Sequence, residues 1–66
     1  MKNNIKVERA RHNMTQSDLA RAIGVSRQSI NAIEQSKYVP SAVLALKIAK
    51  LFKVPFEELF FLEEGE

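Results

Sequence analysis

Apolar residues along the chain fall in short clusters at three- and four-residue spacing, separated by brief polar stretches. Leu19 and Ile23 lie four apart, Ile30 and Ile33 three apart, and Leu44, Ile48, Leu51 and Phe52 mark one helical face. The pattern predicts five helices. Ile5–His12 form the first, with Asn3 or Asn4 as N-cap, and Asn13 suits a left-handed position behind it. Thr15 caps the second, which runs to Ile23, and Thr15-Gln16-Ser17-Asp18 resembles a capping box with Asp in place of Glu. Gly24 ends that helix, because glycine takes a positive φ without a Cβ clash. Ser26 caps the third, Arg27–Gln35, and Ser41 caps the fourth, Ala42–Phe52, after the loop Ser36–Pro40. Pro55 fits the first turn of a fifth helix, Pro55–Phe60, where its missing N–H has no partner to lose. Only Phe60-Phe61-Leu62 reads as extended, able to pair with the N-terminal residues or with a second chain. The expected fold is all-α, with five helices in one domain over residues 1–66 and a short extended segment near its end.

Residues 16–35 carry the functional signal. Two helices crossing steeply over a short turn need a small residue at the crossing, a residue tolerant of positive φ in the turn, and apolar anchors on both helices. Ala20, Gly24, the pair Leu19/Ile23 and the pair Ile30/Ile33 meet these needs, with Val25 plugging the turn. The second of the two helices opens on polar side chains. Together these features predict a DNA-binding helix-turn-helix.

Composition narrows the function further. A chain of 66 residues is one small domain and buries only about 60% of its unfolded surface. It contains no cysteine, so disulfides, thiolate metal sites and thiol catalysis are excluded. No apolar run reaches the roughly 18 residues of a membrane span, and Met1–Lys6 lacks the apolar core of a signal peptide; a reducing cytoplasm is the expected setting. Residues 1–53 hold all ten Lys and Arg against Glu8, Asp18 and Glu34, a balance of +7, whereas residues 54–66 hold five glutamates and no base, a balance of −5. The basic body suits a polyanion, and the acidic tail is expected to lie away from it. No Ser-His-Asp set, metal-ligand cluster or phosphate loop is present, so an enzyme, a cofactor and a small-molecule substrate are not expected.

The segments Thr15-Gln16-Ser17-Asp18-Leu19-Ala20, Gly24-Val25-Ser26-Arg27-Gln28-Ser29-Ile30, Ile33-Glu34, Pro40-Ser41 and Ala45-Leu46-Lys47-Ile48-Ala49 resemble the lambda-repressor-like family of phage repressor, Cro and Xre-type regulators. The likeness extends from Ile5 to Phe60. It implies a five-helix fold, cytoplasmic DNA binding and, usually, a homodimer on a palindromic operator.

A helix in the major groove presents its first residues to base edges. These are Ser26, Arg27 and Gln28, with Asn31 and Ala32 one turn on. Arg can hold guanine through two hydrogen bonds, Gln or Asn can do so with adenine, and Ala32 can touch a thymine methyl. The resemblance places base contacts at Arg27, Gln28, Asn31 and Ala32, and a phosphate contact at Gln16, where a helix N-terminus favours an anion. Ser29, Lys37, Tyr38 and Ser41 are further phosphate candidates, although Tyr38 could instead pack and Ser41 serves as a cap. The resemblance also pairs Arg9 with Glu34, which would fix the recognition helix and leave Arg9 near phosphate. Glu8 stands where the family favours an apolar residue, beside apolar Val7, so the packing of the first helix is left open. His12 reads as a solvated helix end and Met14 as core.

Phe52, Phe56, Leu59, Phe60, Phe61 and Leu62 form a dense apolar cluster for so small a domain. Some should pack on the first helix; Phe56, Phe60, Phe61 and Leu62 are candidates for a homodimer seam within residues 53–63, against a monomer with a satellite core. The leading expectation is a sequence-specific repressor binding double-stranded DNA. The alternative is a protein-interaction module such as an antitoxin, whose aromatic tail would hold a toxin.

Overall fold

Side-chain caps set where the helices begin. The computed structural model describes all residues from Met1 to Glu66, in the order β1 (Lys2–Asn3), α1 (Ile5–Arg11), α2 (Gln16–Ile23), α3 (Arg27–Glu34), α4 (Ala42–Phe52), α5 (Phe56–Leu59) and β2 (Phe60–Phe61). Thr15, Ser26 and Ser41 each accept a hydrogen bond on the side-chain oxygen from the main-chain N–H three residues on, at Asp18, Ser29 and Leu44. The capping box is complete: the Thr15 N–H donates to Asp18 Oδ2 at 2.9 Å. That hydrogen bond, with a second from the Thr15 side chain, holds the Asp18 carboxyl below the usual carboxylate range. The first helix is capped less simply than expected. Asn4 is its N-cap without a side-chain cap bond; Asn3 Oδ1 accepts from the Ile5 N–H instead.

Helices α1 to α4 end in one way. A residue with left-handed backbone follows each, namely Asn13 (φ 54°), Gly24 (φ 89°), Ser36 (φ 60°) and Lys53 (φ 58°). The next N–H then returns to a carbonyl five residues back: Met14 to Arg9, Val25 to Ala20, Lys37 to Ala32 and Val54 to Ala49. This satisfies carbonyls that a helix end would otherwise leave unpaired. Four boundaries differ from the expected ones by a residue: α1 stops at Arg11, α3 at Glu34, and α5 is the single turn Phe56–Leu59 with Pro55 as its N-cap. The shortening of α5 leaves Phe60 extended, so β2 pairs antiparallel with β1, Lys2 opposite Phe61 and Asn3 opposite Phe60. The fold is helical, with this short ladder joining its two ends.

The core consists of Ile5, Leu19, Ala20, Ile30, Ile33, Ala45, Ile48, Ala49, Phe52, Leu59 and Phe60, with Met14, Ile23, Val25 and Phe56 packed on it. Ala20 is buried, as a close crossing of α2 and α3 requires. Leu51, expected on the inner face of α4, is exposed; Ala45 and Ala49 complete that face. On α1, Ile5 occupies the core, so the residue three on shares its face. Glu8 is therefore buried and Val7 is exposed. The Glu8 carboxylate reaches outward to Arg11 Nη1 at 3.0 Å. His12 is exposed but lies against Phe52, with ring centroids 5.2 Å apart.

Two expectations about the C-terminal region need correction. Phe60, expected at a dimer seam, is buried in the chain's own core because the β1–β2 pairing turns it inward. Phe56 is half-buried and lies against Phe60, with ring centroids 5.2 Å apart. Of the four seam candidates only Phe61 (36%) and Leu62 (74%) are exposed. The acidic tail does not lie wholly apart from the helix-turn-helix either. Glu66 Oε2 pairs with the Met1 amino group at 3.1 Å, and Ser36, just past α3, donates to the Met1 carbonyl at 2.9 Å.

Candidate nucleic-acid interface

Helix α3 has two faces with opposite roles. Ile30 and Ile33 are buried in the core, while Arg27 and Gln28 stand exposed on its first turn. Asn31 and Ala32, one turn on, are half-buried. The expected base-contacting residues thus share one accessible end and side of the helix, apart from Ser26. The Ser26 hydroxyl is engaged as the cap, accepting from the Ser29 N–H at 3.1 Å and meeting Ser29 Oγ at 2.9 Å. Ser41 is engaged in the same way at the start of α4. Lys37 is exposed, and Tyr38 is half exposed rather than packed in the core.

Behind this surface α1, α2 and α3 meet in a polar recess lined by Asn3, Lys6, Arg9, Gln16, Asn31, Glu34 and Gln35. The expected Arg9–Glu34 pair is its centre. Arg9 Nε donates to Glu34 Oε2 at 2.6 Å and Nη2 to Oε1 at 3.0 Å, a two-pronged contact that suits the planar guanidinium. Arg9 Nη1 also donates to the Met14 carbonyl at 3.0 Å, joining the pair to the turn before α2. The side chains are only 13% and 7% exposed, and the hydrogen bond to Glu34 raises the Arg9 pKa above its ordinary value. Arg9 is thereby held in place rather than left free to swing toward a ligand.

Gln16 joins the pair to the recognition helix. Its Nε2 donates to Glu34 Oε1 and to Asn31 Oδ1, each at 3.1 Å, and its Oε1 accepts from Arg27 Nη1 at 3.4 Å. Gln35 Nε2 donates to the same Asn31 Oδ1 at 3.3 Å. Asn3 adds a further tie, donating to the Ile33 carbonyl at 2.8 Å. No buried side-chain nitrogen or oxygen lacks a partner. Sequence reasoning suggested Arg9 and Glu34 as a pair, and Gln16 and Asn31 singly. It missed that Gln16 connects them, for which the chain offers no spacing signal, since Gln16 and Asn31 lie on different helices. Both Gln16 side-chain N–H bonds are occupied, so any phosphate contact at this residue falls to the main-chain N–H groups that open α2.

No three His, Cys, Asp or Glu side chains converge as metal ligands would, and no helix is long and apolar enough to cross a membrane. The comparisons with known proteins agree with the geometry. The sequence model of the helix-turn-helix family matches residues 5–59. An HTH-type transcriptional regulator of Methanocaldococcus jannaschii is 58% identical over 66 residues, covering the whole of both chains. One of Bacillus subtilis is 50% identical over 64 residues, covering 97% of each. A solved structure from Bacteroides fragilis, of a protein described as DNA-binding, superposes with a TM-score of 0.78 at 33% identity, covering 88% of this chain and 94% of that one. The chain belongs to the lambda-repressor-like (Xre-type) helix-turn-helix family of transcriptional regulators, a DNA-binding and not an enzymatic family.

Proposed function

We propose that the protein is a sequence-specific repressor that binds a palindromic operator as a homodimer. The observation that carries this is the division of α3, with Ile30 and Ile33 sealed in the core and Arg27 and Gln28 exposed on its first turn. In this reading α3 enters the major groove. Arg27, Gln28, Asn31 and Ala32 meet base edges, and the Ser26 hydroxyl stays with its cap. The start of α2 at Gln16, with Ser29, Lys37 and Tyr38, lies along the phosphates; Arg9 contributes by position and charge, and Ser41 through its main chain.

One helix-turn-helix has modest affinity, and a two-fold dimer reads half-sites about 34 Å apart or a multiple of it. The part of the C-terminal cluster open to such a dimer is narrower than the sequence suggests, comprising Phe61 and Leu62, with exposed Val7 on α1 beside Phe61. The same narrowing weakens the toxin-binding alternative, because Phe52, Leu59 and Phe60 are committed to the core. Selection from a random duplex library, repeated across a salt series, tests the proposal. A palindromic consensus is expected, with affinity falling steeply as salt rises and the consensus lost in Arg27→Ala and Gln28→Ala. Weak binding without a consensus, indifferent to both substitutions, overturns it.

A further inference from the structure

The hydrogen-bond chain from Arg9 to Asn31 has a direction that its charged members impose. An ionised carboxylate can only accept and a guanidinium can only donate. Glu34 Oε1 lies 3.1 Å from the Gln16 amide, so the Gln16 atom facing it must be the NH2 group. Arg27 Nη1, a donor, faces the other Gln16 atom at 3.4 Å, which must therefore be the oxygen. The same Gln16 Nε2 lies 3.1 Å from the Asn31 side chain, so the Asn31 atom facing it must be Oδ1. Gln35 Nε2 fills the second lone pair of that oxygen at 3.3 Å. Asn31 Oδ1 is saturated. Asn31 Nδ2 makes no hydrogen bond within the protein, and no buried side-chain nitrogen lacks a partner, so this NH2 group meets solvent.

We infer that Glu34, acting through Gln16, locks Asn31 as a pure hydrogen-bond donor toward the duplex, so that this position of α3 favours an acceptor-only base edge, best met by the two acceptors of guanine, over adenine, whose N6 group finds no acceptor there. This rests on the reading that α3 enters the major groove. It reverses the usual pairing of asparagine, which holds adenine by accepting from N6 and donating to N7; here the accepting half is already used. Guanine offers N7 and O6, both acceptors, to the two N–H bonds of Nδ2. Glu34 and Gln16 are positioning residues, and only Asn31 touches the base.

The test is library selection with the wild type, Asn31→Asp, Asn31→Ala and Glu34→Gln, together with NMR of the side-chain amides in the free protein. The Asp variant keeps an oxygen for Gln16 and Gln35 but turns an acceptor outward. The wild type is expected to prefer guanine at one base pair of each half-site, by about tenfold over adenine. That preference should vanish in Asn31→Asp and Asn31→Ala, with the rest of the consensus intact. Glu34→Gln removes the acceptor-only anchor, frees both amides to flip, and should admit adenine. In the free protein the Gln16 NH2 protons should exchange slowly and the Asn31 NH2 protons quickly. An adenine preference that disappears in Asn31→Ala overturns the inference. So does a uniform loss of affinity in Asn31→Ala with an unchanged consensus, which would send the donor to a phosphate. Fast-exchanging Gln16 NH2 protons would refute the lock even if Glu34→Gln proved too unstable for selection. Loss of any consensus in the wild type would instead strike at the DNA-binding reading, while the NMR arm still judged the lock.

Discussion

Replacing Arg9 by alanine removes three hydrogen bonds, two to Glu34 and one to the Met14 carbonyl, and leaves Glu34 with only Gln16 to satisfy it. Stranding one member of a buried pair costs about 3–5 kcal/mol. The Arg9–Glu34 pair is covered by its neighbours yet lies at the rim of the domain, and rearrangement can bring water to Glu34. The loss should therefore fall at or just below the lower end, about 2–3 kcal/mol, consistent with hydrogen bonds to charged groups. A 66-residue domain has about 3–10 kcal/mol of stability in all, so the variant would surrender a large share of it. The melting temperature should drop by about 8–24 °C, at 4–8 °C per kcal/mol for domains of this size. Urea unfolding followed by circular dichroism gives the midpoint directly, and an unchanged slope would show that the denatured state is unaffected. Arg9→Met with Glu34→Leu, which leaves no unpaired charge, should be less destabilised than Arg9→Ala alone. A midpoint for Arg9→Ala equal to that of the wild type would refute the reasoning. So would additive single-mutant losses, because groups in direct contact must couple.

Three further substitutions probe other parts of the argument. At Gly24 an added Cβ would meet no atom within 4 Å, yet φ is +89°; Gly24→Ala should cost about 1–2 kcal/mol from backbone conformation alone, and D-alanine there in a synthetic chain should cost almost nothing. Phe60→Ala should lose about 3–5 kcal/mol in chemical unfolding, as core phenylalanines do. Leu62→Ala, at a 74% exposed side chain, should stay within about 0.5 kcal/mol and instead shift sedimentation toward the monomer; the reverse pattern would restore Phe60 to the seam. The Asp18 carboxyl is held below its ordinary range by the Thr15 main-chain N–H and then by the Thr15 side chain. A lowered folded pKa gives stability that is present above the ordinary carboxylate range and lost as pH falls from that range through the lowered folded value. Asp18→Asn should therefore flatten this part of the acid limb of a melting-temperature profile, and an unaltered limb would discount the capping box as its source.

The parts of the fold legible in the sequence are those decided by one residue's local chemistry. Thr15, Ser26 and Ser41 cap helices because a short side-chain oxygen reaches the third N–H onward, whatever surrounds it. Gly24 and Asn13 mark left-handed turns because they tolerate them best. Ser36 and Lys53 adopt the same conformation at φ 60° and 58° without any such tolerance. There the helix-ending hydrogen bonds and packing outweigh the residue's own preference, and nothing in the side chain announces it. One placement left open and one misplaced share a cause. Glu8 is buried because Ile5 fixes the rotation of α1, and Phe60 is buried because α5 stops one residue early and β2 pairs with β1. Both outcomes depend on contacts between distant segments. At the interface, the exposed start of α3 follows from apolar spacing, but the donor and acceptor state of Asn31 depends on Gln16 and Glu34 together.

That dependence separates two properties that a buried ion pair is often assumed to provide jointly. An apolar replacement for Arg9 and Glu34 can fill the space between α1 and α3 and recover much of the stability that a single deletion loses. It cannot impose a direction on the amides of Gln16 and Asn31, because an apolar group neither donates nor accepts, and only the longer Arg27 contact at 3.4 Å is left to orient Gln16. With the carboxylate gone, Asn31 can offer either its oxygen or its NH2 group to the duplex, and adenine and guanine become comparable partners. A helix presenting an ambiguous amide must also order it on binding, at a cost in affinity. In the proposed readout the ion pair therefore matters most at Asn31, where it gives an ambivalent amide on the recognition helix a single sense.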